Sequence, residues 1–337
     1  MAVTLQTIAD RVGISRSAVS QILNRRSNDF SSQETREKVF TAARELGYRQ
    51  KFGHKLLRGD KTGTICILLA SEAQSREEHI RELTLQLLRE TAKLGRSCYL
   101  ESCREDSDNV KMVQSLIERG TDIFIATGAI PADVEEAIQN ANSGGIGFGT
   151  PLLNRGIRHN FTPACAAIFR HFQKMGRTNC KLLSSATNSV RINGLMQAYP
   201  ELSPQQVMEK HFFQLPFYSA VNADDLAEIG YRSTRQLLDQ DPGVQAIFYH
   251  SDYLALGGIQ CLCDHGILPG EDILLAGVNN IHAIRNHVFP VSSISHDITQ
   301  SVKIITEHLD CDNEFCEVIV PQPIIRTQLP LFIRSKQ

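Results

Sequence analysis

Thr4-Leu-Gln-Thr-Ile-Ala-Asp-Arg-Val-Gly-Ile-Ser-Arg-Ser-Ala-Val-Ser-Gln-Ile-Leu-Asn24 reads as two short helices joined by a tight turn. Leu5, Ile8, Ala9 and Val12 recur at helical spacing and would line one face of the first helix. Gly13 supplies a backbone conformation that residues with a Cβ avoid, and Ser15 is a good N-cap for the second helix. Ala18, Val19, Ile22 and Leu23 form the buried side of that helix. Arg16, Ser17, Ser20 and Gln21 are left on the outside of a helix start, where a recognition helix meets base edges. A third helix is expected from about Gln33 to Leu46, with Val39, Ala42, Ala43 and Leu46 packing under the first two.

Charge follows the same boundary. Residues 1–61 hold 12 Lys and Arg against 6 Asp and Glu, a formal net charge of +6. The remainder holds 23 against 31, a net of −8, so the whole-chain value of −2 conceals a basic head on an acidic body. A basic segment of this kind neutralises phosphates and releases counterions, which gives salt-sensitive affinity for DNA of any sequence.

The N-terminal segment resembles the lactose-repressor (LacI/GalR) family of bacterial transcription regulators. That family opens with V-T-[IL]-x-x-[IV]-A-x-x-[AV]-G-[IV]-S-x-x-[TA]-V-S-x-[VI]-[LI]-N, which this chain matches from Val3 to Asn24. It continues with Ser31-Ser-Gln-Glu-Thr-Arg-Glu-Lys-Val39 and ends with Leu46-Gly-Tyr48. The resemblance implies a homodimer on a palindromic double-stranded operator, contacted by Thr4, Leu5, Ser15, Arg16, Ser17, Ser20, Gln21 and Asn24. It also implies that residues 48–61 form a hinge, helical when two subunits meet over the minor groove, with His54 and Leu57 on the DNA. Leu57 matches the apolar wedge that opens the central base step. Gln50-Lys51 replaces the family's usual Pro-Asn, His54 its alanine, and Gly53 weakens a helix there.

From Thr64 onward strand and helix patterns alternate. Strands are expected at 64–69, 98–100, 122–126 and 145–148, then at 180–183, 209–213, 246–249 and 273–277. Such alternation implies right-handed crossovers and parallel sheets covered on both faces. The expected fold is therefore an all-α helix-turn-helix headpiece (1–47), the hinge (48–61) and an α/β core (62–330), with a tail at 331–337. By resemblance the core is two-lobed and periplasmic-binding-protein-like, with lobe 1 at 62–160 and 291–321 and lobe 2 at 161–290 and 322–330. Ligands of open parallel sheets lie at the carboxyl ends of the strands, which places an effector in the cleft.

Cleft residues follow where the family's motifs hold. Thr187-Asn-Ser-Val-Arg-Ile-Asn-Gly194 matches S-x-x-x-R-x-x-G, whose arginine grips effector oxygens, so Arg191 is the leading candidate. Ser251 occupies a ligand-binding Asn position, with Asp252 expected as a helix cap, and Asn279 stands at a ligand aspartate. Arg104 and Ser71 fall near first-lobe loops, Phe217 or Tyr218 could stack on a sugar ring, and His296 is a further cleft candidate. The carboxylates of sugar-binding members are replaced by Gly149 and Asn279. A cleft that loses two acids and keeps Arg191 is friendlier to an anion, such as a phosphorylated sugar. A core that answers no effector is the alternative.

Other classes are disfavoured. No apolar run approaches the ~18 residues that span a bilayer, and the N-terminus carries no charged-then-apolar leader. Those features and nine scattered cysteines suit a cytoplasmic protein and oppose a periplasmic solute-binding protein. Cys261-x-Cys263-x-His265 lies in an expected helix (Asp252 to His265), where Cys263 points away from its neighbours, so neither a metal nor a cofactor is expected. No Gly-rich phosphate loop or nucleophile elbow suggests an enzyme. His159, His171, His250 and His296 are scattered without evident partners and read as structural.

Overall fold

The computed structural model describes residues 3–23, 31–48, 61–185, 190–216 and 223–327. The expectations placed on Asn24, His54, Leu57, Phe217 and Tyr218, on hinge residues 49–60 and on the tail lie outside them. The chain divides into two compact units, Met1–Thr62 and Gly63–Gln337.

The first unit is helical. Helix α1 (Leu5–Val12) starts at Thr4, whose hydroxyl accepts from the Thr7 amide, and ends at Gly13 in the left-handed region with φ +76°. That φ strains any residue with a Cβ, which is why the turn takes glycine. Ser15 accepts a hydrogen bond from the Ala18 amide at 3.1 Å and so starts α2 (Arg16–Leu23). Helix α3 (Gln33–Glu45) is capped by Ser32. Ile8, Val19, Ile22 and Val39 are buried together between the three helices. Each such side chain contributes about 1.5–3 kcal/mol of transfer free energy.

The second unit holds two six-stranded sheets. In the first lobe β1 (Thr64–Leu69) is followed by a 3₁₀ turn (Glu72–Arg76) and α4 (Glu78–Lys93). Then come β2 (Ser97–Ser102), α5 (Asn109–Glu118), β3 (Thr121–Thr127), α6 (Ala132–Asn140), β4 (Gly144–Phe148) and β5 (Arg155–His159). In the second lobe α7 (Thr162–Lys174) precedes β6 (Cys180–Ser184), α8 (Val190–Ala198), α9 (Pro204–His211) and β7 (Phe212–Gln214). They are followed by α10 (Ala223–Gln240), β8 (Ala246–Tyr249), α11 (Asp252–Asp264), β9 (Leu274–Val278), α12 (His282–Arg285) and β10 (Val291–Ser295). Helix α13 (Ile298–Glu307) and β11 (Phe315–Ile319) return to the first lobe, and β12 (Gln322–Ile324) goes back to the second.

The sheet orders are β11-β5-β4-β3-β1-β2 and β12-β10-β9-β8-β6-β7. Every pairing is parallel except β10 with β12. Central strands such as β1 are buried on both faces, as a helix-covered parallel sheet requires.

Two expectations are corrected. Residues 291–295 form β10 beside β9 in the second sheet, so they belong to lobe 2 and the chain recrosses after Ser295 rather than at 290. The strand expected at 209–213 is mostly the end of α9; Ser203 and Gln206 form a capping box that starts this helix, and pairing begins only at Phe212.

Candidate functional site

The headpiece offers α2 to a ligand. Arg16 and Ser17 are exposed in its first turn, while Ser20 and Gln21 are half-buried. Ser15 is held as the cap, and Thr4 shares a reciprocal capping box with Thr7. Leu5 packs partly against the headpiece core, so its side chain is less available than that of Arg16.

In the core, Arg191 lies in the first turn of α8. The Gly194 of its motif has a packing role: a Cβ there would come within 2.4 Å of the Cys165 Cβ and 2.8 Å of the Thr162 carbonyl. Glycine thus lets α8 lie directly on α7, and this close approach fixes where Arg191 points. Residues 187–189 of the motif lie outside the described segments.

Four histidines gather around this arginine. His159 ends β5, His250 follows β8, His296 follows β10, and His79 opens α4. His79 and His296 stack with centroids 4.4 Å apart and ring planes 1° from parallel. His159 meets His296 edge-on at 5.2 Å. Phe148 packs against His159 at 4.7 Å and Phe161 against His296 at 5.1 Å, both at steep angles. The Arg191 guanidinium carbon sits 5.7 Å from the Phe161 ring centroid.

The imidazoles are held neutral. Burial, with the charges of His159 and Arg191 behind it, lowers His79 to about 4. Burial alone brings His159 to about 4. Burial and then Arg191 bring His250 to about 3. His296 falls well below its ordinary value through burial, then His79, His159 and Arg191. Glu77 is the nearby acid: burial raises its pKa and Arg191 opposes the rise.

The remaining candidates divide. Asn279 takes φ +98° and places its Oδ1 3.2 Å from His296 Nε2, inside the cluster. Ser251 is the N-cap of α11, and Asp252, expected as that cap, is buried instead. Asp252 accepts from the Ser293 hydroxyl at 2.8 Å and the Ile281 amide at 2.9 Å, and burial raises it to about 7. Ser71 starts the 3₁₀ turn without a side-chain cap bond. Arg104 is exposed, its backbone N–H and C=O both bonded to Asn109.

His159, His250 and His296, read as scattered, are therefore collected in one place, with His79 unforeseen. A usable sequence signal existed for His250 alone, which follows the strand expected at 246–249, although three of them share one placement. Each stands at the carboxyl end of a parallel strand, which is where such sheets bind ligands. Cys261 is buried and Cys263 exposed, and His265 Nδ1 lies 2.7 Å from the Cys261 carbonyl oxygen. Among the described residues no group of three or more His, Cys, Asp or Glu could hold a metal, and no helix is long and apolar enough to cross a membrane.

A helix-turn-helix headpiece on a two-lobed, parallel-sheet core defines a class of regulators, and the comparisons assign this chain within it. Residues 4–50 match the model for bacterial regulatory proteins of the lacI family, and residues 169–312 match that for a periplasmic binding protein-like domain. The chain thus carries a lacI-family headpiece joined to a periplasmic binding protein-like domain. It is 25% identical over 357 residues to the HTH-type transcriptional repressor PurR of Haemophilus influenzae (strain PittEE), covering 96% of this chain and 97% of that one. It is 23% identical over 314 residues to the HTH-type transcriptional regulator AscG of Escherichia coli (strain K12), covering 91% and 90%. The fold is similar to that of the lac repressor dimer bound to operator and the anti-inducer ONPF, with a TM-score of 0.72, 19% identity and coverage of 98% and 100%. It is also similar to that of the regulator CelR in its cellobiose complex, with a TM-score of 0.64, 17% identity and coverage of 96% and 99%.

Proposed function

We propose that this protein is a dimeric, DNA-binding transcriptional repressor whose operator affinity is set by an anionic metabolite, such as a phosphorylated sugar, bound between the lobes. The lacI-family match of residues 4–50 and the exposed start of α2 support the DNA-binding half. Arg16, Ser17 and Gln21 are the residues assigned to base edges in the major groove. Leu57 is assigned to the minor-groove wedge by resemblance alone. A similar solved structure is a repressor dimer on its operator. Here the edge strand β2 exposes Tyr99 and Leu100, and neighbouring α4 exposes Leu85, apolar surface that a second copy would cover.

One observation carries the effector half: Arg191 lies among four neutral imidazoles, with Glu77 as the acid that faces it. A guanidinium in such surroundings offers charge-assisted hydrogen bonds to phosphate or carboxylate oxygens. Binding regulates only if the ligand favours one lobe arrangement, and a coupling of about 1–3 kcal/mol changes operator affinity roughly five- to 150-fold. Calorimetry with glucose against glucose 6-phosphate, and the same pair with Arg191→Ala, tests the assignment. Tight binding of the neutral sugar, or phosphate-ester binding undiminished in the variant, contradicts it.

A further inference from the structure

Three ring nitrogens of the histidine cluster are buried without a hydrogen-bond partner: His79 Nδ1, His159 Nε2 and His296 Nδ1. The Glu77 carboxylate comes to 3.5 Å from His79 Nδ1, but not in hydrogen-bonding geometry. An orphaned buried polar atom costs free energy, so three of them on rings packed within one cluster call for an occupant. The partner of His296 says what kind of occupant. Its Nε2 faces the amide oxygen of Asn279, which can only accept, so Nε2 carries the proton and Nδ1 of the neutral ring is a lone pair. A lone pair repels an anion; a protonated ring donates to one.

The groups facing the cluster set the charge balance. Glu77 comes from the start of α4, with Glu78 beside it engaged elsewhere by Arg285. Arg191 comes from α8, His250 from the end of β8 with Nδ1 bonded to Ser184, and Asn279 from the end of β9. Cys165 of α7 lies within reach of Arg191, and its thiol is pushed up to about 12 by burial. Arg191 and Glu77 carry opposite single charges, and the other facing groups are neutral. A dianion entering this site is therefore uncompensated unless protons enter with it.

We propose that the cleft binds dianions of the phosphate or sulfate type together with protons, Arg191 and the imidazolium forms of His79, His159 and His296 sharing the charge. This rests on the anion-binding reading above and adds the protons. The dianion reverses the electrostatics that keep these rings neutral, because the charge that forms on them is paired rather than isolated. For each proton taken up, affinity changes about tenfold per pH unit within the linkage window. Effector response would then depend on pH in the range just below neutrality.

Sulfate is the probe, since its own charge stays fixed between pH 5.5 and 7.5. Its affinity for the full chain, read from thermal shifts against sodium chloride at equal ionic strength, should tighten at least about tenfold over that range. Proton NMR of the imidazole Cε1–H signals should show cluster histidines titrating at higher pH with sulfate than without, a readout that needs no variant. His79→Gln with His296→Gln should flatten the pH dependence, and Arg191→Ala should abolish sulfate binding throughout. Sulfate binding of unchanged strength from pH 7.5 to 5.5, with unmoved imidazole titrations, overturns the proton linkage but leaves the anion site standing. Sulfate no better than chloride at every pH overturns both. A pH dependence that survives in the folded double variant overturns the assignment to these histidines.

Discussion

Removing Glu78 should loosen the two lobes without unfolding either. Its carboxylate, at the start of α4 in the first lobe, accepts from the His282 amide at 2.8 and 3.0 Å and from Arg285 Nη2 at 2.9 Å. Helix α12 has no side-chain cap of its own, so the first lobe supplies one. Such a cap is worth about 1 kcal/mol. The ion pair adds about 0.5–1 kcal/mol, discounted because the Glu78 and Arg285 side chains are 25% and 43% exposed. Both contributions vanish when the lobes separate, so Glu78→Ala should shift the closed-to-open ratio by about 1.5–2 kcal/mol, roughly 10- to 30-fold. Hydrogen exchange reads this directly: amides at the start of α4 and at the β10–α13 crossing should exchange faster by that factor, while those of β1 and β8 stay unchanged. Arg285→Ala should show partial non-additivity with Glu78→Ala, because the two share one contact. Unchanged exchange at the crossing, or fully additive effects, would refute the clasp.

Further outcomes are expected. Gln21→Arg should move the preferred base at its half-site position from adenine toward guanine, with discrimination changing by ~1–3 kcal/mol; identical selected sites for both proteins would contradict the assignment. Gly13→Ala should destabilise the headpiece by about 1 kcal/mol or somewhat more, since φ +76° strains an L side chain, and thermal melting of the headpiece checks it. Acidification should destabilise the core. His79, His159 and His250 have folded-state pKa values below the ordinary 6.5, so the stability they contribute is complete above pH 6.5 and is lost as pH falls toward 4, by at most about 1.4 kcal/mol per unit for each. Asp252 acts oppositely: its folded value of about 7 is raised, so its contribution is complete below the unfolded value near 3.8 and is lost as pH rises through 7. Asp252→Asn should therefore remove a loss on the alkaline side and leave the acid loss in place, as denaturant midpoints across pH 4–8 would show.

The headpiece was legible because its helices carry local signals: caps at Thr4, Ser15 and Ser32, apolar stripes, and glycines just past the ends of α1 and α3. The central strands were legible as unbroken apolar runs. Edge elements were not. Strand β5 reads Arg-Gly-Ile-Arg-His, yet Arg155 is buried there, giving its guanidinium to the Gly145 and His308 carbonyls at 3.3 and 2.6 Å and to that of Cys311. A buried arginine serving distant carbonyls leaves no periodic trace. Strand β11 alternates no better, and with β5 and β10 unseen the strand-end positions of His159 and His296 could not be used. His79 sits at a helix start, and only the closing of the two lobes brings it against His296. Arg191 could be singled out because its motif is local, and the glycine three residues on has a packing reason, letting the helix approach α7.

The central claim is that α2 reads a specific DNA sequence. The most direct test is to select binding sites for the full chain from a random duplex library, then measure affinity for the selected site and a shuffled one at physiological salt. The account predicts a palindromic site bound with a Kd of about 10⁻⁸–10⁻¹¹ M, roughly 10³-fold or more tighter than the shuffled duplex. It also predicts a preference that moves with Gln21→Arg. No enriched sequence, or equal affinity for both duplexes, would contradict it.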